Sequence, residues 1–279
     1  MQIDWRLKSF LFSIFGILPA SALYFTQHNI SRRSRGHIQN LVPHRPNWEF
    51  HKTNIDRLNA KTLIEFGAGK NLIQNIFLSD TGIRQTVVDL APMVWLPLVN
   101  NAIDALAAQG LVKTSTSVTS LDHLEQLYGI RYIAPFDMRN TNYDDASFDI
   151  CISTNTFEHI PPADIQAILS ELRRIIRPGG VISAVIDYSD HYSHTDKKIS
   201  PLNYLRFSES KWRRFNHANH FQNRLRHTHY KELFTAAKFE IEKSETLNYC
   251  ETSVEYFNVD SLTGEDTDFA LTGRWILRV

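Results

Sequence analysis

Cysteine is nearly absent from this chain: Cys151 and Cys250 are the only two in 279 residues. That excludes a disulfide framework and a four-thiolate metal site, and it suits a reducing, cytoplasmic setting. An excess of either charge is missing as well. Thirty Lys and Arg balance thirty Asp and Glu, which removes the electrostatic footprint of a dedicated nucleic-acid binder. No apolar run reaches the roughly twenty residues that span a bilayer. The nearest to one, Phe10 to Phe25, is interrupted by Gly16 and Pro19. Internal repeats and low-complexity tracts are absent too. What remains is 43% hydrophobic and 22% charged, the composition of a globular enzyme built on one large domain.

The run from Phe10 to Phe25 follows Arg6 and Lys8, as the core of a signal peptide follows its basic flank. Its length and breaks favour a packed element instead, a lid over an apolar substrate or a homodimer contact. A peripheral membrane contact through residues 10–25 is the second reading. Residues 1–57 are taken as an N-terminal helical cap, and 58–279 as the main domain.

Order is legible after residue 60. Lys61 to Phe66 is a short apolar run ending in an acid and followed by Gly67-Ala68-Gly69. Residues 71–78 place Leu72, Ile73, Ile76 and Phe77 on one helical face. A second β-branched run ends at Asp89, and a long helix is expected from Met93 to Gln109. A third strand is weakly marked over 130–134, and a fourth, buried one over 148–153. Pro161-Pro162 open a helix that Arg177-Pro178-Gly179-Gly180 stops. Val181 to Ile186 reads as a parallel strand covered on both faces. Strand alternating with helix implies right-handed crossovers and a doubly wound sheet. Residues 187–226 break the pattern and read as a substrate-binding insertion. A helix over 229–238 and strands over 239–247 and 271–279 close the chain.

In such a sheet ligands bind outside the carboxyl ends of the strands. Glu65 to Gly69 sits at one such end, and Asp89, 24 residues on, sits at the next. Glycines there admit a ligand close to the backbone, and Asp89 is suited to a ribose diol. A dinucleotide turn would want glycine at position 72, where Leu72 stands. No G-K-S or G-K-T marks a P-loop, and no Tyr-x-x-x-Lys pair of a short-chain oxidoreductase lies near the fourth and fifth strands. A ligand without phosphates follows.

Glu65-x-Gly67-x-Gly69 resembles the first motif of class I S-adenosylmethionine-dependent methyltransferases, and Asp89 matches their second-strand acid. Asp137 is similar to the acid that contacts the adenine amine. Glu158-His159-Ile160 and Glu171 to Gly180 resemble the signature of the small-molecule branch. The resemblance covers about residues 61–186 and implies a Rossmann-like three-layer α/β/α sandwich whose seven-stranded, mostly parallel sheet has its last strand antiparallel. It implies S-adenosylmethionine as cofactor, held by Glu65, Phe66, Gly67, Ala68, Gly69, Asn71, Asp89, Leu90, Asp137, Met138 and Thr154. Asn71 stands where the family places a third glycine; it is expected to cap the next helix or to bond the ligand carboxylate.

The acceptor should meet the cofactor beyond the fourth and fifth strands. His191 is the expected base, because an imidazole titrates near neutrality, with Asp187 orienting it and His159 beside it. Asn155, Glu158, Tyr188, His194, Trp212, His220 and Arg224 are the candidate substrate contacts. The expected acceptor is a small molecule, a medium-sized, partly apolar metabolite methylated on a hydroxyl or, second, an amine. No metal is expected: His191 with His194, and His217 with His220, are each three apart, a spacing that is not diagnostic without nearby thiols. Glu158-His159 with a remote histidine is also similar to part of the magnesium site of small-RNA methyltransferases, where Asn155 replaces a further acid. An RNA methyltransferase is therefore one alternative, and a cofactor-binding protein without turnover is the other.

Overall fold

The computed structural model describes residues 3–15, 41, 43–251, 257–258 and 262–279. The sheet is built from β1 (Thr62–Phe66), β2 (Arg84–Val88), β3 (Ile130–Ile133), β4 (Phe148–Thr154), β5 (Ile176–Asp187), β6 (Glu240–Tyr249) and β7 (Ala270–Arg278), in the order β3-β2-β1-β4-β5-β7-β6. Strands β1 to β5 pair in parallel, and β7 runs antiparallel between β5 and β6. The chain works outward from β1 through β2 to β3, then returns to lay β4 on the other side of β1. That reversal opens a crevice above the carboxyl ends of β1 and β4.

Alternation along the strands sorts their side chains into two cores. Ile64, Phe66, Val88, Cys151 and Ile182 meet α6 (Pro162–Ile175) and α8 (His227–Ala236) on one face. Leu63, Val87, Ile150 and Ile152 meet α2 (Arg45–Leu58), α3 (Ile73–Ser79), α4 (Leu96–Ala108) and α5 (Leu121–Tyr128) on the other. The result is the three-layer α/β/α sandwich, with β7 antiparallel as the resemblance implied. Helix α5 carried no signal in the hydrophobic pattern; the Ser120 hydroxyl caps it by accepting from the His123 N–H at 3.0 Å. Helix α3 starts later than its pattern, because Leu72 takes a left-handed φ of 49° and the Asn71 side chain accepts from the Ile73 N–H at 3.1 Å.

A third, aromatic cluster stands apart from the sheet. Helix α1 (Trp5–Phe15) inserts Trp5 among Tyr192, Phe207 and Phe215 of the 187–226 segment, which folds as short 3-10 turns and the one-turn α7 (Glu209–Trp212). The Trp5 N–H donates to Asp196, and Ser9 bonds His217 at 2.9 Å. Leu7, Phe10, Leu11, Ile14 and Phe15 face outward from α1. Residues 16–25 of the apolar run lie outside the described residues. Among the described residues, no helix is long and apolar enough to cross a membrane.

Strand β7 carries one glycine whose absence of a side chain is required. A Cβ at Gly273 would overlap the Tyr188 hydroxyl, which accepts from the Trp275 indole at 3.0 Å and bonds His227 Nδ1 at 3.0 Å. Replacing Gly273 by Ala is expected to destabilise the fold by about 1–3 kcal/mol through overpacking. Thermal unfolding checks this, and an unchanged midpoint contradicts it.

Candidate active site

A cleft of about 400 Å³ opens over the carboxyl ends of β1, β2 and β4. Phe66, Gly67, Asp89, Leu90, Asp137, Met138 and His159 of the expected residues line it, joined by Phe136, Arg139, Thr156 and Asp164. The β1 turn reaches it in left-handed backbone, with φ of 76° at both Gly67 and Gly69. A Cβ at Gly67 would strike the Thr156 side chain, whereas space beyond Gly69 is open. Glycine at 67 thus lets the β1 and β4 turns close on each other, and glycine at 69 continues the turn in left-handed backbone with open space beside it.

Asp89 is the buried acid of the cleft, 5% exposed. Tyr132 of β3 donates its hydroxyl to Asp89 Oδ2 at 2.9 Å and accepts from the Met93 N–H at 2.9 Å. Burial pushes the Asp89 carboxyl up to about 6, although Tyr132 and the Gly69 N–H pull the other way. Asp137 lies at the rim, gripped by Arg139, whose Nη2 is 2.7 Å from Oδ2 and whose Nη1 reaches Asp164 at 2.9 Å. The Arg139 hydrogen bonds hold Asp137 below the usual carboxylate range. Tyr132 and Arg139 were missed in the sequence. Tyr132 reaches Asp89 from the neighbouring strand, so no local pattern marked it.

Glu65, Ala68, Gly69, Asn71 and Thr154 are not in the lining of this cleft. The Glu65 carboxylate turns inside the fold, accepting from Gln74 Nε2 at 2.9 Å and Asn75 Nδ2 at 2.6 Å. Burial raises it to about 8 against the pull of those amides. The chain continues from Gln74 to Thr154, then to His51 Nε2, and from His51 Nδ1 to Ser183. Burial lowers His51 to about 3, so a neutral imidazole joins α2 to β4 and β5. Thr154 is therefore a link between elements, its hydroxyl engaged by Gln74 and His51. Ala68 packs on the α2 side of the sheet, and Asn71 caps α3 as described above.

A second cavity, of about 660 Å³, lies beyond β5 and β7. Asn155, Asp187, Ser189, His194, Lys197 and Arg274 line it, with Pro43, Pro46, Leu247 and Leu271 as apolar wall. Between the cavities stand His159, His191 and His194. The His159 and His191 rings are 4.8 Å apart, as are those of His191 and His194. His191 Nε2 lies 3.3 Å from Asp187 Oδ2. Burial pushes Asp187 up, but His191 and Ser189 together hold it below the usual carboxylate range. Burial lowers both His159 and His194. Glu158 is 2% exposed and burial raises its carboxyl far above the ordinary value.

Three expected substrate contacts lie outside the lining of both cavities. Trp212 is 1% exposed inside the aromatic cluster of Tyr192, Tyr204 and Phe207. Tyr188, also 1% exposed, spends its hydroxyl on His227 and Trp275 in the core. Arg224 binds the Tyr204 and Phe207 carbonyls at 3.0 and 2.8 Å and Glu209 at 2.6 Å, so it ties the insertion together. Large aromatics and a lone arginine carry the same sequence signal in a packed satellite as in a pocket. His220 stacks on Phe12 of α1 at 4.5 Å and lies 6.2 Å from His191.

A family profile described as a methyltransferase domain matches residues 64–184. That stretch contains most of β1, the glycine turn, Asp89 and the β4 turn, which together build the cleft. It is a methyltransferase domain, and its activity is S-adenosylmethionine-dependent methyl transfer. Solved structures agree with the fold. The PH0226 protein from Pyrococcus horikoshii OT3 is similar with a TM-score of 0.51 at 12% identity, over 92% of this chain and 98% of that one. The CurJ carbon methyltransferase is similar with a TM-score of 0.53 at 12% identity, over 94% of this chain and 61% of that one.

The residues of the methyltransferase cleft suit its cofactor. Gly67 lets the β1 backbone form the cleft floor against Thr156, Asp89 presents a buried acceptor for hydroxyl donors, and Met138 and Phe136 give apolar walls. Asp89→Ala should weaken S-adenosylmethionine binding by more than tenfold, the loss of charged hydrogen bonds worth about 1.5–3 kcal/mol. In the wild type, affinity should also fall as pH drops below about 6, where the carboxylate takes up a proton and stops accepting at that oxygen. Titration calorimetry across pH checks both, and unchanged affinity in the variant removes Asp89 from this role.

Proposed function

We propose that the enzyme methylates a hydroxyl group, or as runner-up an amine, on a medium-sized and partly apolar small molecule. The observation that carries the reading is the chain Asp187–His191–His159, which joins the second cavity to the cofactor cleft. An acceptor in the second cavity would lie against Asp187 and His194 on one side and apolar Leu247 and Leu271 on the other. Lys197 and Arg274 at the same cavity suit an acidic group on that molecule. When bound, S-adenosylmethionine supplies an electrophilic methyl group on its sulfonium sulfur. In this reading His191 takes the acceptor proton, with Asp187 orienting its ring, and Asn155 and His194 position the acceptor.

Residues 187–226 and α1 form the cap over this side of the molecule, whereas α2, from the proposed N-terminal cap, packs as part of the sandwich. The outward apolar face of α1 is the surface proposed for a peripheral membrane or homodimer contact. Neither a basic excess nor an RNA-recognition module supports a nucleic-acid acceptor.

Incubating the enzyme and methyl-labelled cofactor with a metabolite extract should transfer the label to a small molecule, read by mass spectrometry. Label recovered only in RNA or protein overturns the acceptor class. His191→Ala should lower turnover at least tenfold, the lower range of proton-transfer catalysis being about a hundredfold, with cofactor affinity nearly unchanged. Undiminished turnover removes His191 as the base.

A further inference from the structure

We propose that Glu158, His159 and His191, with Asp187 and His194 beside them, bind a divalent transition-metal ion of the Zn²⁺ or Mn²⁺ type at the junction of the two cavities. This deepens the reading above, rests on it for the acceptor's position and revises it at one atom: with Nε2 on the ion, His191 would serve as a ligand, and the ion in place of the imidazole would ease loss of the acceptor's proton. The donors come from the turn after β4 and the turn after β5, which sequence spacing left unlinked. Glu158, His159 and His191 hold one ligand atom each within 4.8 Å of one another, and so do Asp187, His191 and His194. The two groups share His191. Asn155, which lines the second cavity, belongs to neither.

Two independent observations point to a cation. Glu158 is buried with neither carboxylate oxygen in a well-directed hydrogen bond, and buried His191 Nε2 has only the 3.3 Å approach to Asp187 Oδ2. Buried polar atoms are ordinarily paired, because leaving them unpaired costs the full desolvation of the group. A metal ion satisfies all three atoms at once. The second observation is His159, whose Nδ1 lies 2.8 Å from the Phe221 carbonyl. A ring N–H donating to that carbonyl leaves Nε2 with its lone pair free, the arrangement that orients imidazoles on metals.

Imidazole nitrogens with carboxylate oxygens, and no thiolate, select a borderline divalent ion over soft copper(I) or all-oxygen calcium. The carboxylates of Glu158 and Asp187 would together match two positive charges. Bonds of about 2.0–2.2 Å require the donors to draw inward from their present spread. His159 borders the cofactor cleft, and Asp187 and His194 border the second cavity, so an ion here is reachable from both.

The test uses untagged, EDTA-treated and dialysed protein, titrated separately with Zn²⁺, Mn²⁺ and Co²⁺ by calorimetry. One equivalent of at least one ion should bind, with Co²⁺ developing the visible bands of nitrogen and oxygen coordination. Glu158→Gln and His191→Ala should each weaken binding at least tenfold while cofactor affinity shows that the fold persists. If Glu158→Gln does not fold, His159→Ala, at a more exposed position, takes its place with the same loss of metal binding expected, its fold checked by circular dichroism because His159 lines the cofactor cleft. Absence of stoichiometric binding by all three ions, or unchanged affinity in the folded variants, overturns the site. Because metal binding is read without acceptor or turnover, its failure leaves the acceptor reading intact, and failure of that reading leaves the metal result standing.

Discussion

The close approach of the β1 and β4 turns, made possible at Gly67, is the constraint on which the site depends. A side chain there would meet Thr156, and the two turns would have to part. Their closure sets the floor of the cleft and fixes the start of the 157–159 turn that carries Glu158 and His159. It does so at the one place in the sheet where strand order reverses, so that neighbouring loops diverge to opposite faces and leave room above.

Beneath that floor, the polar chain from Glu65 through Gln74, Thr154 and His51 to Ser183 spans β1, β4, β5 and two helices. Buried polar networks of this kind are useful only when every member is satisfied, because the low dielectric makes an unpaired group costly. Here each link has a partner, and burial holds His51 neutral. The network thus fixes the relative register of the strands whose ends carry the chemistry. Glu65 acts in the described structure as its terminus, one layer below the cleft, and not as a wall of it.

Much of this was legible in the sequence. The parallel core showed itself in Val181 to Ile186 and Phe148 to Ser153, because strands buried on both faces leave no polar positions. Asp89 and the glycine turn were legible because their spacing reflects one strand, helix and strand. Tyr132 and His51 were not, since each reaches its partner across the sheet, at separations that no local pattern encodes; Arg139 grips Asp137 two residues away, but its reach to Asp164 crosses a loop. Trp212, Tyr188 and Arg224 lie away from both cavities for a related reason: the 187–226 segment builds an aromatic core of its own with Trp5, and its composition resembles that of a binding pocket. The histidine cluster was half-visible, as residue types without the geometry that joins them.

The central claim is that the cleft between the β1 and β2 ends holds the nucleoside of the methyl donor. A crystal structure with S-adenosylhomocysteine tests it most directly. The account predicts the ribose hydroxyls on Asp89 and the adenine between Leu90 and Met138. A nucleoside bound elsewhere, or a ribose that does not touch Asp89, would contradict it.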